Sequence, residues 1–382
     1  MATSYEIWVD DESDYGSLFT SEHYRPEDLP QLNRKISAVQ VLSIERELKL
    51  RDRIRQEILP NLDEHFPNLS VPPGPYSVDD QMLRNSQDLF EQGLVEGIDG
   101  SMVTMPVASD LMSLVSCAAV NHRGQPRGLT TQIINLRSDE EVSSPGTEMP
   151  VWEILQRRAR ISSQSHEERD MSARQFMALR ERELMANSDA TWVVGHGTPV
   201  SVDVFSKSGG VEAVASAIRL IRKIVGRENF LFVPSETPSR PELLYIANSL
   251  ESGQFCIFEN LDSWFRILRH GNYSGPVWGP VGDMIDQLAS ELSETVVVGG
   301  FKASRESPGR LFFSHVTHVH QAASIAIADS LLTGHRGFPS IIDIADRVAG
   351  RIPSSFLQNS TNLNYAKLGV PFLLRGERDT RR

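Results

Sequence analysis

The sequence predicts an α/β fold in which helices cover the faces of a mixed β-sheet. After residue 72, short apolar segments with strand character alternate with longer amphipathic segments, which is the pattern of an α/β domain. Hydrophobic residues make up 40% of the 382-residue chain and charged residues 23%, so a sizeable core can be buried. No apolar run approaches the roughly 20 residues that cross a bilayer, so no membrane segment is predicted.

Charge and cysteine content bear on partners and compartment. The formal net charge is -12, which on average disfavours nucleic acid, because phosphate contacts are mainly electrostatic. Basic residues nevertheless gather in three segments, which either line a path for a nucleic-acid backbone or are solvated helix faces: 155–161, 218–227 and 375–382. The two cysteines lie in apolar segments, and the N-terminus lacks the layout of a signal peptide. Together these features predict a cytoplasmic protein.

The N-terminal part is predicted to be separate from the α/β domain. Apolar residues recur at helical spacing from Leu29 to Phe66, which predicts one long amphipathic helix after an acidic start. The proline-rich stretch "SVPPGPYS" then forces extended backbone and marks a boundary near residue 72. The predicted divisions are therefore 1–72, an α/β domain over 73–370, and a basic tail over 371–382.

Elements of the α/β domain follow from periodicity and turn residues. Apolar runs bounded by Gly, Pro and polar residues predict strands, and apolar residues at 3.6-residue spacing predict helices. Predicted strands lie near 95–99, 110–128 (with the turn "NHRGQPRG"), 191–197, 229–235, 253–259, 295–303 and 309–319. Predicted helices lie near 78–92, 170–187, 209–225, 240–251 and 319–333, with a last one opened by Phe338-Pro339.

Two strand ends carry candidate functional side chains. Asp99 follows an apolar strand and precedes Gly100, and a buried carboxylate there needs a donor or a cation. The alternative is a hairpin turn, since Asp-Gly is a common turn dipeptide. His196 ends the apolar strand "TWVVGHG" between two glycines. It is either a metal ligand or acid/base group, or a histidine satisfied by a backbone carbonyl.

A charged helix supplies one further candidate carboxylate. Glu181 and Glu183 are two residues apart and cannot share a helix face, so only one of them can point into a site. The alternative is a solvated face on which both glutamates pair with Arg180 and Arg182.

Two C-terminal segments complete the candidates. In "SHVTHVH", a strand would place His318 and His320 on one face and His315 on the other, without a nearby cysteine, which argues against a zinc site. In "FPSIIDIAD", Asp343 and Asp346 lie three residues apart on the predicted last helix.

In this order, the segments resemble those of the NurA nuclease family over residues 75–365. Members of that family open the nuclease domain with a strand ending in Asp-Gly-Ser, as "IDGS" does here. A helical glutamate follows, then an apolar strand ending in Asp-Gly, and later a Tyr-Pro-x-x-Leu-x-x-Ala-His segment. The corresponding segments here are "WVVGHGTP" and "FPSIIDIAD". The resemblance implies an RNase H-like core in the α/β domain.

The resemblance also implies roles for single residues. Asp99 matches the first metal-binding aspartate, and the helical glutamate falls on Glu181 or Glu183, of which Glu181 suits the family spacing better. His196 stands where the family has its second aspartate, and Asp346 stands where it has its closing histidine.

These matches imply a catalytic, metal-holding set of carboxylates and one imidazole. Mn²⁺ accepts both ligand types, whereas Mg²⁺ strongly prefers oxygen, so manganese is the expected cofactor and magnesium its alternative. Phe338 replaces the family's tyrosine, keeping the aromatic ring without the hydroxyl. Phe338, Ser101 and Lys302 are the expected substrate-binding residues, with an ordinary surface lysine as the alternative for Lys302.

The function implied by the resemblance is a metal-dependent DNA nuclease. Its implied partners are DNA, a second copy of the chain, and a hexameric HerA-type DNA-translocating ATPase, with a role in DNA end processing or anti-phage defence. The exchanged positions of His196 and Asp346 leave a second interpretation open. In it, the site is degenerate and the chain is a structural or regulatory subunit of the ATPase.

Overall fold

The computed structural model describes residues 29–67, 69, 71–107, 110–135, 166–235, 240–261, 264–265, 273 and 275–368. The chain divides into two compact units between Arg53 and Ile54, ahead of the predicted boundary near residue 72. Residues directly after the division already belong to the core of the second unit. Ile54 and Leu62 are buried, and the Arg55 guanidinium donates a hydrogen bond to the Ser249 carbonyl at 2.7 Å.

Helices and strands are numbered in chain order. The first unit contains α1 (Leu29–Arg53). The helices of the second unit are α2 (Leu62–His65), α3 (Asp80–Gln92), α4 (His166–Asn187), α5 (Gly210–Val225), α6 (Pro241–Ser249), α7 (Gly275–Thr295), α8 (Val319–Leu331) and α9 (Ser340–Leu368). Its strands are β1 (Tyr76–Ser77), β2 (Val95–Val107), β3 (Asp110–Asn121), β4 (Pro126–Asn135), β5 (Trp192–His196), β6 (Phe230–Val233), β7 (Gln254–Asn260), β8 (Val296–Lys302) and β9 (Arg310–His315). Within the described ranges, none of the helices combines the length and apolar character that spanning a bilayer requires.

The predicted long N-terminal helix is regular only over its first part. The α-helix ends at Arg53 and is followed by a π-helical turn (Ile54–Ile58), a 3-10 turn (Leu59–Asn61) and the short α2. Pro60 lies in the 3-10 turn, and proline lacks the N–H that an α-helix requires at that position. The helical periodicity therefore persists toward Phe66 while the hydrogen-bond pattern changes.

A single nine-stranded mixed sheet, of order β1-β7-β8-β9-β6-β5-β2-β3-β4, forms the centre of the second unit. Strands β2, β5 and β6 are parallel neighbours, and β3 runs antiparallel to both β2 and β4. This arrangement of β4-β3-β2-β5-β6, with one reversed strand, confirms the predicted RNase H-like mixed sheet. The remaining strands extend the same sheet beyond β6 through antiparallel pairs.

Helices cover both faces of the sheet. Residues alternate between the two faces along a strand, so positions 97 and 100 of β2 point to opposite sides. A side chain at Gly97 would meet Ile341 of α9, and one at Gly100 would meet Met177 of α4. Helix α9 therefore packs on one face and α4 on the other. The core on the α9 face also includes buried residues of α3 and α8.

The parallel register of β2 and β5 positions the candidate site. Ile98 pairs with Gly195, which is the last pairing between the two strands, so Asp99 and His196 follow side by side. The prediction that β2 ends at Asp99 is wrong, because β2 continues to Val107 along β3 alone. Asp99 is paired with Ala118 inside this ladder, which excludes the hairpin-turn alternative.

The start of α9 is fixed by a buried carboxylate. Asp329 of α8 accepts hydrogen bonds from the Ser340 hydroxyl and, at 3.1 Å, from the Ile341 backbone N–H. Negative charge at a helix N-terminus is favourable because the first N–H groups have no partner within the helix. Burial nevertheless raises the pKa of Asp329 to about 6, although these hydrogen bonds act to lower it. His122 lies against the same carboxylate, with Nε2 at 3.5 Å from Oδ1.

The buried Asp329 predicts a pH-dependent stability. A carboxyl whose pKa is raised by folding contributes stability below its unfolded pKa, near 4, and loses it as pH rises through about 6. Asp329→Asn keeps an acceptor and removes the titration. The free energy of unfolding of the variant minus that of wild type is the quantity to compare. We expect this difference to be about 2 kcal/mol more positive at pH 7 than at pH 4. Urea unfolding at the two pH values measures this difference, and an equal effect at both pH values would contradict it.

Candidate active site

The four residues that the sequence predicts to be catalytic line one cavity. The cavity has a volume of about 750 Å³ and lies where β5 ends, between α4 and the start of α9. Its lining includes Asp99 of β2, Glu181 of α4, His196 of β5 and Asp346 of α9. These residues are as far apart as positions 99 and 346 in the chain, so only the sheet order brings them together.

Asp99 and His196 form the pair at the centre of the cavity. Their side chains lie next to each other at the end of the β2–β5 pairing, with His196 Nδ1 at 3.3 Å from Asp99 Oδ1. Asp99 is 6% exposed and also accepts a hydrogen bond from the Gly100 N–H at 2.8 Å. Burial acts to lower the pKa of His196, but the hydrogen bond and charge of Asp99 outweigh burial and raise it. His196 thus has a carboxylate partner, not the backbone carbonyl of the alternative interpretation.

The two glutamates of α4 lie on different faces of the helix, and only one of these faces is directed into the cavity. Glu181 is 9% exposed and lines the cavity, whereas Glu183 pairs with Arg180 on a face that lines a different pocket. Burial, followed by the negative charge of Asp99, raises the pKa of Glu181 to about 7. A glutamate whose pKa lies near neutral pH can gain or lose its proton under ordinary conditions.

Gly100 allows Glu181 to reach the sheet. A Cβ at Gly100 would lie 2.6 Å from Glu181 Oε1 and 2.6 Å from Met177 Cγ, closer than real side-chain contacts permit. The glycine of the Asp-Gly-Ser motif therefore provides the space for the carboxylate. Glu181 approaches Asp99 over this glycine from the opposite face of the sheet.

Arg182 is buried beside Glu181, although the sequence suggested at most a surface ion pair. It is 3% exposed, and its guanidinium donates to the Thr198 carbonyl at 2.6 Å and the Ala178 carbonyl at 3.0 Å. The same group lies 3.4 Å from Glu181 Oε2. It thereby ties the loop after β5 to α4. Apolar Ala178 and Met185, at helical spacing on either side, are the sequence signal for this burial.

Helix α9 and the loop before it form the second wall of the cavity. Asp346 lies on the first turns of α9, and burial together with the charge of Asp99 raises its pKa. Phe338 is buried, with its ring 5.8 Å from the His196 ring in a T-shaped arrangement. Asp343 also lines the cavity and pairs with Arg336. The spacing of Asp343 and Asp346 was visible in the sequence, but their common cavity was not.

Two predicted substrate-binding residues lie outside the cavity lining. Lys302, at the end of β8, is buried, and its ammonium donates to the Asn248 carbonyl at 2.9 Å. Both the predicted phosphate contact and the surface-lysine alternative are therefore wrong, because this cation is used inside the fold. Ser101 is half-buried on β2 and faces Gly350 of α9, away from the cavity.

The three histidines near residue 318 have separate surroundings. The strand ends at His315, so the predicted shared face of His318 and His320 is wrong: one is in a 3-10 turn and the other in α8. His318 lies 3.4 Å from Glu228, while His320 packs edge-on against Tyr76. Among all residues that the structure describes, no three His, Cys, Asp or Glu side chains are close enough together to hold a metal ion.

Basic side chains of the segment 218–227 form hydrogen bonds with other residues of the chain. Arg222 makes two hydrogen bonds to Glu291, at 2.7 and 3.0 Å, and Lys223 donates to Asn187 at 2.7 Å. None of its residues lines the cavity. This segment therefore lies outside the cavity that contains the candidate catalytic residues. The segments 155–161 and 375–382 lie outside the described residues.

Fold and cavity together define an α/β protein with an acidic, imidazole-containing cleft at the end of parallel strands. No protein-family model and no curated protein sequence matches the chain. Solved structures do show similarity. The NurA nuclease from Sulfolobus solfataricus is 11% identical, with a TM-score of 0.48 over 87% of this chain and 98% of that chain. A NurA structure with manganese is 9% identical, with a TM-score of 0.43 over 87% and 98%. A NurA structure bound to dAMP and manganese is 8% identical, with a TM-score of 0.43 over 82% and 92%.

Proposed function

We propose that the protein is a metal-dependent DNA nuclease that hydrolyses phosphodiester bonds. The observation that carries the proposal is the convergence of Asp99, Glu181, His196 and Asp346 on one cavity. These residues come from four elements, and the spacing of their segments resembles that of the NurA nucleases. Clustered carboxylates with perturbed pKa values in a cleft are typical of catalytic sites, because folding alone gains nothing from their mutual repulsion.

The chemical types of the donor atoms in the cavity are suitable for binding a divalent cation. Asp99, Glu181 and Asp346 provide oxygen ligands and His196 an imidazole nitrogen, a combination that suits Mn²⁺. Burial, followed by the charge of Asp99, raises the pKa of both Glu181 and Asp346, and a cation between the carboxylates would relieve their repulsion. As placed among the described residues, no three of these side chains are close enough together to hold an ion. Hydrated ions in nuclease-type sites commonly complete their coordination with water and substrate oxygens.

The residues of the chain can be assigned roles in hydrolysis. Asp99 and Glu181, with Asp346, would hold the ion, which when bound activates water and stabilises charge on the leaving oxygen. His196, whose Nδ1 lies 3.3 Å from Asp99 Oδ1, would either complete the coordination of the ion or transfer a proton during hydrolysis. Arg182 keeps Glu181 and the loop after β5 in position.

The experiment is a cleavage assay of purified protein on linear DNA with Mn²⁺, compared with EDTA and with Asp99→Ala. We expect cutting by wild type that needs Mn²⁺ and is lost in the variant. Calorimetric titration with Mn²⁺ gives a second readout that does not depend on turnover. Equal cutting by wild type and Asp99→Ala would remove the catalytic assignment.

The finer proposal concerns partners and biological role. We propose that the chain acts as a homodimer on a HerA-type hexameric ATPase, in DNA end processing or anti-phage defence, with DNA as substrate. Its support is the motif resemblance alone. Co-purification with such an ATPase, and stimulation of cutting by ATP in its presence, are the expected results.

A second candidate is a catalytically degenerate subunit of the ATPase. It is favoured by two observations: a histidine stands at the position of the second aspartate, and no ready-made group of three ligands exists among the described side chains. Protein that binds no Mn²⁺ by calorimetry but still docks on the ATPase would establish this alternative.

A further inference from the structure

Arg174 shares a helix face with Glu181. The two residues are seven positions apart on α4, which is close to two helical turns, so their side chains point the same way. Both line the 750 Å³ cavity. Arg174 is exposed, whereas Glu181 is buried deeper in the cavity.

The guanidinium of Arg174 forms neither an ion pair nor a hydrogen bond with any residue that the structure describes. The other arginines lining the cavity are engaged. Arg182 donates to the Thr198 carbonyl, and Arg336 pairs with Asp343. Arg180, on the same helix but outside the cavity, pairs with Glu183.

The cavity is acidic, so a positively charged side chain in its lining matters for binding a negatively charged substrate. Asp99, Glu181, Asp343 and Asp346 make the cavity acidic, as does Asp203 in its lining. A polyanionic strand entering such a cleft is repelled until it meets a cation. Arginine is the side chain best suited to this contact, because its planar fork binds two phosphate oxygens at once.

The spacing along α4 locates the contact on the substrate. Seven helical residues correspond to about 10 Å along the axis. One strand of B-form DNA carries a phosphate about every 3.4 Å along the axis, and an extended strand carries them further apart. An arginine at this distance from Glu181 therefore reaches a phosphate no more than about three positions from the one being cut.

We propose that Arg174 binds a backbone phosphate of the substrate strand, one to three positions from the scissile phosphate, and so anchors the strand across the cavity. This inference rests on the proposed nuclease function. It assigns a substrate-binding role to a residue that makes no contribution to the metal-holding set.

The test uses single-stranded oligonucleotides that each carry one uncharged methylphosphonate linkage, at successive positions around the mapped cut. Binding is measured by fluorescence anisotropy with EDTA present, so that no cutting occurs. For wild type, we expect about a tenfold loss of affinity when the neutral linkage replaces the phosphate bound by Arg174. For Arg174→Ala on unmodified DNA, we expect the same tenfold loss, and no further loss at that linkage. The slope of log affinity against log salt should fall by about 0.7.

Arg180→Ala is the matched control, since it removes an arginine from the same helix on the other face. We expect its affinity within twofold of wild type and its response to the neutral linkages unchanged. If Arg174→Ala responds to every linkage as wild type does while wild type still cuts DNA, this inference is overturned and the nuclease proposal stands. If wild type neither binds nor cuts DNA, both fail.

Discussion

Glu181→Gln is expected to lower the rate of DNA cutting about a thousandfold, whereas Glu183→Gln leaves it near the wild-type value. The two residues lie on one helix, two positions apart, with similar local sequence. Of the two, only Glu181 lines the cavity next to Asp99, and burial, followed by the charge of Asp99, raises its pKa to about 7. Glutamine preserves the size of the side chain and removes the charge that would hold a cation.

The measurement is single-turnover cutting of linear DNA with Mn²⁺ for both variants and wild type. Circular dichroism confirms that both variants are folded. The half-buried Glu183, which lies outside the cavity lining, is the internal control for removing a negative charge from α4. Similar losses in both variants would mean that the helix face has been assigned wrongly, and full activity in Glu181→Gln would exclude this glutamate from catalysis.

Gly97→Ala is expected to destabilise the second unit by about 3 kcal/mol or more. A Cβ at Gly97 would lie 2.7 Å from the Ile341 carbonyl oxygen and 2.8 Å from its carbonyl carbon. These are backbone atoms of α9, so no side-chain rotation can relieve the contact. The helix would have to move away from β2, and Asp346 would move with it.

Thermal unfolding of Gly97→Ala and of Gly350→Ala separates this effect from a general cost of replacing glycine. A Cβ at Gly350 of α9 would lie 3.4 Å from Ser101 Oγ, an ordinary contact distance, and alanine favours a helix over glycine by up to about 1 kcal/mol. We expect the first variant to melt several degrees lower and the second to melt at or above the wild-type temperature. Equal melting of Gly97→Ala and wild type would show that α9 does not pack as closely on β2 as described.

The predictions from the sequence agree best with the structure where a local pattern of residues is compatible with only one type of secondary structure. The apolar runs ending at Asp99 and His196 are buried strands, and the alternation of strands and helices corresponds to the observed α/β sheet. Agreement is poorer for ionisable side chains. Lys302 was expected at a phosphate and is buried on β8, and Arg182 was expected on the surface and is buried in the cavity wall.

Two residues with roles at the cavity were missed for a related reason. Arg174 carries no motif, and its seven-residue offset from Glu181 becomes informative only once the face of α4 that lines the cavity is known. The role of Gly100 was likewise hidden, since a glycine after an aspartate is equally expected in a turn.

The sequence by itself determined the class of fold, the positions of most strands and helices, and a short set of candidate acidic and imidazole residues. Periodicity and turn residues act over a few positions, so a single segment is sufficient to reveal them. The tertiary structure decided which glutamate faces the cavity, that Asp99 and His196 touch, and that Lys302 is used within the core. Those facts depend on strand order and on the face that each helix buries, which are set by contacts between residues far apart in the chain.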